Sequence, residues 1–210
     1  MGEAKKMTVL GLTGSIGMGK TVAAEVFRSL GVPVFDADRV VHDFLGTNGR
    51  AVGPVGRAFP GSLSGGAIDR KKLGDVVFGD DEALGKLESI LHPLVREQES
   101  AFLSQASKEG CAVAVLEIPL LFETGAERLC DGVVVVSAPE ETQEARVLKR
   151  PGMTADKLAA IRARQMGSEE KTARADFIID TSKSREENLR VIENIVTVAK
   201  GWATSGKKGT

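Results

Sequence analysis

The sequence predicts an α/β fold of three layers, in which helices cover both faces of a doubly wound, five-stranded parallel sheet. Five short segments are rich in Val and Ile and almost continuously apolar, as are strands buried on both faces of a parallel sheet. Segments with apolar residues at helical spacing separate these strands, and such alternation is typical of a doubly wound sheet. The predicted strands span residues 8–12, 32–35, 112–118, 132–137 and 177–179.

Several predicted helices have recognisable N-termini. Asp36 follows the second strand and is a candidate N-cap for the next helix, and Thr154 is a candidate N-cap further along the chain. Ser184 and Glu187 have the spacing of a capping box at the start of the C-terminal amphipathic helix. Residues 84–95 carry apolar side chains at helical spacing and predict a long helix.

Two long segments interrupt the alternation of strands and helices. Residues 36–110 separate the second and third strands, and a connection of this length predicts an inserted domain. Residues 146–175 are rich in arginine and are interpreted as a lid that closes over a ligand. The predicted organisation is a core of residues 7–37, 110–138 and 175–202, a helical substrate-binding insertion of residues 38–109, a helical lid of residues 139–174 and a disordered tail of residues 203–210.

Composition excludes several classes of protein. Lys and Arg number 28 against 29 Asp and Glu, and this balance argues against a general nucleic-acid binder. The two histidines and two cysteines include no CxxC pair, so a zinc site is poorly supported, and Cys111 and Cys130 are expected to be buried thiols. No segment resembles a signal peptide or a membrane span of about 20 apolar residues. We expect a cytoplasmic protein, monomeric or weakly homo-oligomeric, that binds neither nucleic acid nor membrane.

The strongest motif lies between the first predicted strand and the helix that follows it. Gly14, Gly19, Lys20 and Thr21 complete the pattern G-x-x-x-x-G-K-[ST] of a P-loop. In such a loop the backbone N–H groups surround phosphate oxygens, the lysine reaches the terminal phosphates and the hydroxyl is a ligand for Mg²⁺. The sequence therefore predicts an ATP site made of Gly14, Ser15, Ile16, Gly17, Met18, Gly19, Lys20 and Thr21.

A P-loop binds a nucleotide but does not by itself identify the reaction. A GTPase would carry an [NT]-K-x-D motif, which is absent, and the D-x-x-G match at residues 43–46 falls in a helical pattern. Residues 63–66 imitate part of the signature of transport ATPases, but they precede a helix near Asp69 and are interpreted as a flexible turn. The patterns favour a small-molecule kinase. Another nucleotide or small-molecule kinase and a non-catalytic nucleotide-binding switch remain as alternatives.

Carboxylates follow two of the predicted strands, at the sheet edge where open α/β folds bind ligands. Asp38 falls in the first helical turn after Asp36, where a carboxylate orients an attacking hydroxyl and accepts its proton. Glu117 ends the third strand and is predicted to hold Mg²⁺ through water, the alternative being a strand-end carboxylate paired with a lysine. Pro119 then ends the strand and shapes the turn.

Arginines of the predicted lid are candidates for stabilising the transferring phosphoryl group. Arg146 and Arg150 are four residues apart and are expected on one helix face, while Arg162 and Arg164 belong to a second helix. Positive charge that arrives with a closing lid stabilises the transition state and excludes water. The alternative is an exposed, solvated helix face, and Arg162 and Lys171 are the weakest members of the set.

Taken together, these residues resemble the dephospho-CoA kinase family over residues 9–195. The P-loop is shared with many kinases, but the ordered set of motifs is much more specific. The resemblance rests on residues 11–21, Asp36-Ala-Asp38, Leu91-His-Pro-Leu94, Ile118-Pro-Leu-Leu-Phe-Glu123, Arg164-Gln165 and Ala175-Asp-Phe-Ile-Ile-Asp180.

The resemblance implies a P-loop kinase core, similar to nucleoside monophosphate kinases, with a helical CoA-binding domain and a lid. It implies that the γ-phosphoryl group of ATP moves to the ribose 3′-hydroxyl of dephospho-CoA, the last step of coenzyme A synthesis. By position, Asp38 is the base or hydroxyl-orienting group, and Lys20, Arg146 and Arg150 are the other catalytic candidates. The residues expected on the acceptor side are Thr13, Arg70, His92, Pro119 and Leu120, with His92-Pro93 alternatively marking a helix kink.

The chain departs from the family pattern at two positions. Family members often have Arg-Asp where this chain has Arg150-Pro151, and proline fixes φ and removes an N–H donor. They often have Asp-Asn where this chain has Asp180-Thr181, and threonine lacks the two-sided amide of asparagine. Neither change touches the P-loop or Asp38, so activity is expected to survive both.

Overall fold

The computed structural model describes residues 7–205. The chain divides into two compact units, the first formed by the residues up to Phe35 together with those from Gln105 onward, and the second by Asp36–Ser104. The strands are β1 Thr8–Thr13, β2 Val34–Asp36, β3 Leu63–Ser64, β4 Ala67–Ile68, β5 Val113–Glu117, β6 Gly132–Ser137 and β7 Phe177–Asp180. The helices are α1 Lys20–Ser29, α2 Ala37–Leu45, α3 Val52–Ala58, α4 Arg70–Val77, α5 Asp81–Lys108, α6 Glu140–Leu148, α7 Ala155–Arg164, α8 Ser168–Ala173 and α9 Arg185–Ser205.

The first unit is built on a five-stranded parallel sheet with the order β2-β5-β1-β6-β7. Strand β1 lies in the centre, with Leu12 opposite Glu117 of β5 on one side and opposite Val134 of β6 on the other. The order moves outward in both directions from β1, so the predicted doubly wound α/β class is confirmed. In such a sheet the loops at the carboxyl ends of the strands meet at one edge, where ligands bind.

Strand β6 shows that both faces of the sheet are buried. Val134 and Val136 pack into a core with helices α1 and α9, whereas Val133 and Val135 pack into a second cluster with Leu121 and Phe122. Alternation with period two sends consecutive valines to opposite faces, and both faces are buried. This double burial explains the continuous apolar runs that predicted the strands.

The second unit has its own apolar core, formed by helices α2 to α5 and the hairpin β3–β4. The core centres on Phe44, Val55 and Leu73. Residues 63–66, interpreted from sequence as a flexible turn, instead belong to an antiparallel hairpin in which Leu63 pairs with Ile68. Gly65 and Gly66 at its tip have φ angles of 56° and 78°, and adjacent positive φ angles are what a tight hairpin turn requires.

The predicted helix caps are confirmed. The Asp36 side chain accepts a hydrogen bond from the Arg39 N–H at 2.9 Å, and the Thr154 hydroxyl accepts one from the Lys157 N–H at 3.3 Å. At the start of α9, Glu187 Oε2 accepts from the Ser184 N–H at 3.0 Å, and Ser184 Oγ accepts from the Glu187 N–H at 3.2 Å. Each contact satisfies an N–H group that a helix terminus leaves unpaired.

Three further expectations are wrong. Helix α9 extends to Ser205, so residues 203–205 are not a disordered tail, and Trp202 stacks on Phe177 at 5.5 Å between ring centroids near this end. Residues 206–210 and the charged residues 1–6 lie outside the described residues. Cys111 and Cys130 are partly exposed rather than buried.

The third wrong expectation concerns the lid arginines. Helix α6 ends at Leu148, and Arg150 lies in the turn beyond it, exposed, so Arg146 and Arg150 do not share a helix face. Pro151 explains the early end, because proline disfavours the helical conformation of the residue before it.

The D-x-x-G match at residues 43–46 lies at the end of helix α2, as its helical pattern predicts. Between residues 7 and 205, no helix combines the length and apolar character needed to cross a bilayer.

Candidate active site

The P-loop, residues 14–21, leads from β1 into α1 at the carboxyl edge of the sheet. A Cβ on Gly14 would lie 2.4 Å from Val136 Cγ2 and 2.6 Å from Val136 O, so β6 excludes any side chain at this position. Gly19 occupies the N-cap of α1 with φ of 89°, and no side chain caps the helix there. An uncapped helix N-terminus presents its N–H groups and the positive end of the helix dipole to an anion.

The two residues that open α1 carry the polar chemistry of the loop. Lys20 Nζ donates a hydrogen bond to Gly14 O at 2.7 Å, so the lysine side chain links the two ends of the P-loop. Thr21 is exposed in the first turn of α1. The lysine thus contributes positive charge, and the threonine contributes a hydroxyl oxygen of the type that binds Mg²⁺.

Glu117 is the last residue of β5, and it pairs in register with Leu12, two residues before the P-loop. Only 6% of Glu117 is exposed. Carboxylate and hydroxyl oxygens are hard donors of the kind that suit Mg²⁺, and the assignment of Glu117 and Thr21 to a metal ion stays a prediction. Among residues 7–205, no group of three or more His, Cys, Asp or Glu side chains is arranged to hold a metal ion.

The turn after β5 is held by a buried ion pair. Pro119 O accepts hydrogen bonds from Thr13 Oγ1 at 3.0 Å and from Lys171 Nζ at 3.2 Å. Lys171 is completely buried, and its ammonium pairs with Glu123 at 2.9 Å. Lys171 is therefore a structural residue that ties α8 to the turn carrying the acceptor-side candidates Pro119 and Leu120.

The charge of Glu123 is stabilised by its contacts. Burial raises the pKa of the Glu123 carboxyl, but hydrogen bonds from Lys171 Nζ and from the Met166 N–H outweigh burial and hold this pKa below its ordinary value. The Met166 N–H lies 2.8 Å from Glu123 Oε1. The Glu123 carboxyl is therefore ionised at neutral pH.

Arg146 is bound to the P-loop through Thr181. Its guanidinium donates to Thr181 Oγ1 at 2.9 Å and to Thr181 O at 2.8 Å. The Thr181 hydroxyl in turn lies 2.8 Å from Met18 O in the P-loop. Thr181, one of the two departures from the family pattern, thus contacts the nucleotide-binding loop directly.

Arg162 is also bound within the protein. It pairs with Glu140 at 2.9 Å and donates to Gln143 Oε1 at 2.7 Å. Gln143 Nε2 then donates to Ile16 O in the P-loop at 2.7 Å, and the Ile16 N–H donates to Gln165 Oε1 at 3.0 Å. Sequence analysis missed Gln143, because nothing local marks a glutamine that bonds to a residue 127 positions away.

The remaining predicted residues belong to the second unit. Asp38 lies in the first turn of α2, and Arg70 is the first residue of α4. Arg70 donates to His42 Nδ1 at 2.7 Å, a partner to which sequence analysis gave no role. His92 is exposed on α5, directly before Pro93, which lies inside that helix. The assignment of these residues to the acceptor side stays a prediction.

Comparison with known proteins identifies the family of the chain. A sequence model of the dephospho-CoA kinase family matches residues 8–187. The chain is 53% identical over 195 residues to a dephospho-CoA kinase of Brucella melitensis, a match that covers 93% of this chain and 96% of that protein. It is 51% identical over 195 residues to one of Mesorhizobium japonicum, covering 93% and 98% of the two chains.

Solved structures have the same fold. The Thermus thermophilus protein TT1252 matches with a TM-score of 0.81 and 34% identity, covering 92% of this chain and 98% of that one. A dephospho-CoA kinase from Campylobacter jejuni matches with a TM-score of 0.63 and 27% identity, covering 92% and 97%. With a family match across most of its length and relatives of about half identical sequence, the chain belongs to the dephospho-CoA kinase family.

Proposed function

We propose that this protein transfers the γ-phosphoryl group of ATP to the ribose 3′-hydroxyl of dephospho-CoA and so completes coenzyme A synthesis. The observation that carries the proposal is the match to the family over residues 8–187, which includes both the P-loop and the segment that holds Asp38. The P-loop geometry supports a triphosphate donor, because an uncapped helix N-terminus and Lys20 converge on one loop.

In this proposal the donor half of the reaction takes place at the P-loop. Backbone N–H groups and Lys20 bind the β- and γ-phosphates and neutralise the charge that develops as the bond to the β-phosphate breaks. The Thr21 hydroxyl and the Glu117 carboxylate are the side chains that would hold a magnesium ion, and the ion would supply further positive charge to the phosphate oxygens. Arg146 is positioned beside the same loop by its bonds to Thr181. Arg150, on the exposed turn before Pro151, requires lid closure to act.

The acceptor half uses the second unit and the turn after β5. Asp38 orients the 3′-hydroxyl and accepts its proton as the phosphoryl group arrives, and a loose transition state makes orientation the larger part of this role. Arg70 and His92 are proposed to contact the acceptor from the helical unit, and Thr13, Pro119 and Leu120 from the first unit. We further propose that the enzyme works in the cytoplasm, without nucleic acid or membrane, as a monomer or weak homo-oligomer.

The test is a coupled assay of ADP release by the purified protein, with ATP, Mg²⁺ and dephospho-CoA. ADP release that depends on dephospho-CoA, with a product one phosphate heavier by mass spectrometry, is the expected result. Lys20→Ala is the matched control for a contaminating kinase, because it should lose both nucleotide binding and turnover. Turnover with another nucleoside or sugar acceptor in place of dephospho-CoA would favour a different kinase. Tight ATP binding with no acceptor-dependent turnover would refute the proposal in favour of a nucleotide-binding switch.

A further inference from the structure

Two carbonyl groups of the P-loop are hydrogen-bonded by side chains from outside the loop. Gln143 Nε2 donates to Ile16 O at 2.7 Å, and Thr181 Oγ1 lies 2.8 Å from Met18 O. Gln143 belongs to α6 and is only 4% exposed. Gly17 of the P-loop lies next to it, and a Cβ on Gly17 would lie 3.1 Å from Gln143 O. Helix α6 thus packs directly against the loop, with no room for a side chain at Gly17.

Each of these side chains is itself oriented by an arginine. Arg162 donates to Gln143 Oε1 at 2.7 Å, and since arginine only donates while the Ile16 carbonyl only accepts, the amide of Gln143 has one allowed orientation. Arg146 donates to Thr181 Oγ1 at 2.9 Å, which directs the single hydroxyl proton toward a carbonyl acceptor. The Thr181 hydroxyl has a second carbonyl within reach, Ser137 O at 3.2 Å, but the Met18 contact is the shorter.

The direction of these carbonyls fixes the direction of the amides that bind phosphate. In a planar trans peptide the C=O and the following N–H point in opposite directions. A bond that holds Ile16 O toward Gln143 therefore turns the Gly17 N–H away from α6, and a bond that holds Met18 O toward Thr181 turns the Gly19 N–H away from Thr181. Glycines at both positions have φ angles of 76° and 89° and no side chain, so without such bonds these peptide planes rotate easily.

We infer that Gln143 and Thr181 are positioning residues for ATP, which preorganise the Gly17 and Gly19 amides of the P-loop for the phosphates. They act through hydrogen bonds to the Ile16 and Met18 carbonyls, and Arg162 and Arg146 orient the two side chains for these bonds. The inference deepens the proposed function and rests on its use of ATP. It also gives Thr181 a role that differs from recognition of the base.

The decisive experiment compares matched variants by calorimetric titration with ATP and Mg²⁺ in the absence of acceptor. Thr181→Val keeps the shape of the side chain and removes the hydroxyl, whereas Thr181→Ser retains the hydroxyl. One lost neutral hydrogen bond corresponds to roughly a 2- to 13-fold change in affinity, so we expect Thr181→Val to weaken ATP binding by about that factor and Thr181→Ser to restore it.

Gln143→Glu keeps an acceptor for Arg162 but has no N–H to donate to Ile16 O. Gln165→Glu also introduces a negative charge beside Ile16, but it keeps the oxygen that accepts the hydrogen bond from the Ile16 N–H. Both variants place a negative charge beside Ile16, and the charge at position 143 is offset by Arg162, so a larger loss of ATP affinity in Gln143→Glu reports the bond to Ile16 O. We expect Gln143→Glu to bind ATP more weakly than Gln165→Glu by about 2- to 13-fold, with the KM for dephospho-CoA unchanged in both.

The inference is overturned if Thr181→Val binds ATP within twofold of the wild-type affinity, or if Gln165→Glu loses as much ATP affinity as Gln143→Glu. It is also overturned if the KM values for ATP and for dephospho-CoA rise together and the Tm falls. The last result would show a merely structural role. Because ATP binding is measured without acceptor, an unmodified protein that binds ATP but fails to phosphorylate dephospho-CoA would refute the proposed function and still leave this comparison decisive.

Discussion

The buried ion pair between Lys171 and Glu123 offers a quantitative test of how the first unit is stabilised. Lys171→Met removes the ammonium and leaves Glu123 and the Pro119 carbonyl without that donor. Breaking a buried ion pair costs about 3–5 kcal/mol, and we expect the lower end because the Glu123 side chain retains 18% exposure. For a protein of this size, about 3 kcal/mol corresponds to a fall in Tm of about 6–12 °C.

The measurement is urea unfolding followed by circular dichroism, with the fluorescence of Trp202 as a second probe of the same unit. Arg50→Met is the matched control, because Arg50 and Glu97 are closer together, at 2.7 Å, but are 47% and 64% exposed. We expect that exposed pair to contribute only about 0.2–1 kcal/mol. Adding Glu123→Gln to Lys171→Met removes the stranded charge and keeps an acceptor for the Met166 N–H, so it should recover much of the lost stability.

The pH dependence of this variant has a defined sign. The pKa of Glu123 is lowered in the folded state, so its ionisation contributes stability above the ordinary value of 4.5, and this stability is lost as pH falls through the folded-state pKa. The difference in free energy of unfolding between the wild type and Lys171→Met should therefore become smaller below pH 4.5. A loss no larger than that of Arg50→Met, or a difference that stays constant in acid, would refute the reasoning.

Three further predictions concern single residues. Asp38→Asn should lower kcat by about 10²–10⁴-fold with little change in ATP affinity, and single-turnover kinetics that match the wild type would exclude Asp38 as the base. Gly14→Ala should abolish ATP binding in calorimetry, because its Cβ meets the backbone of Val136, whereas Gly74→Ala, with nothing within 4 Å, should bind ATP normally. Burial raises the pKa of Glu99 despite the nearby Arg96, which means that ionisation of Glu99 opposes folding as pH rises. Glu99→Gln should therefore raise Tm at pH 7 but not in acid, and a lowered Tm at pH 7 would contradict this.

Local patterns were enough for much of the fold. The continuous apolar runs located the five strands to within a few residues, because a parallel sheet buries both faces of each strand. The caps at Asp36, Thr154 and Ser184 were predictable since a cap is a contact between neighbours in sequence. The P-loop was predictable for the same reason, because its function depends on the backbone of eight consecutive residues. The pattern failed where its local signal was ambiguous, as at the hairpin of residues 63–68 and the end of α9.

What the sequence determined by itself is the sheet, the P-loop and the family, through the order of several short motifs. What only the tertiary structure decided is the partner of each charged or amide side chain. Lys171 reads as one more cation of an arginine-rich lid, yet it is completely buried against Glu123. Gln143 and Thr181 reach P-loop carbonyls 127 and 163 positions away. The physical reason is that such bonds depend on which surfaces the packed helices bring together. The spacing of residues along the chain does not reveal which distant residues will be close in the folded protein.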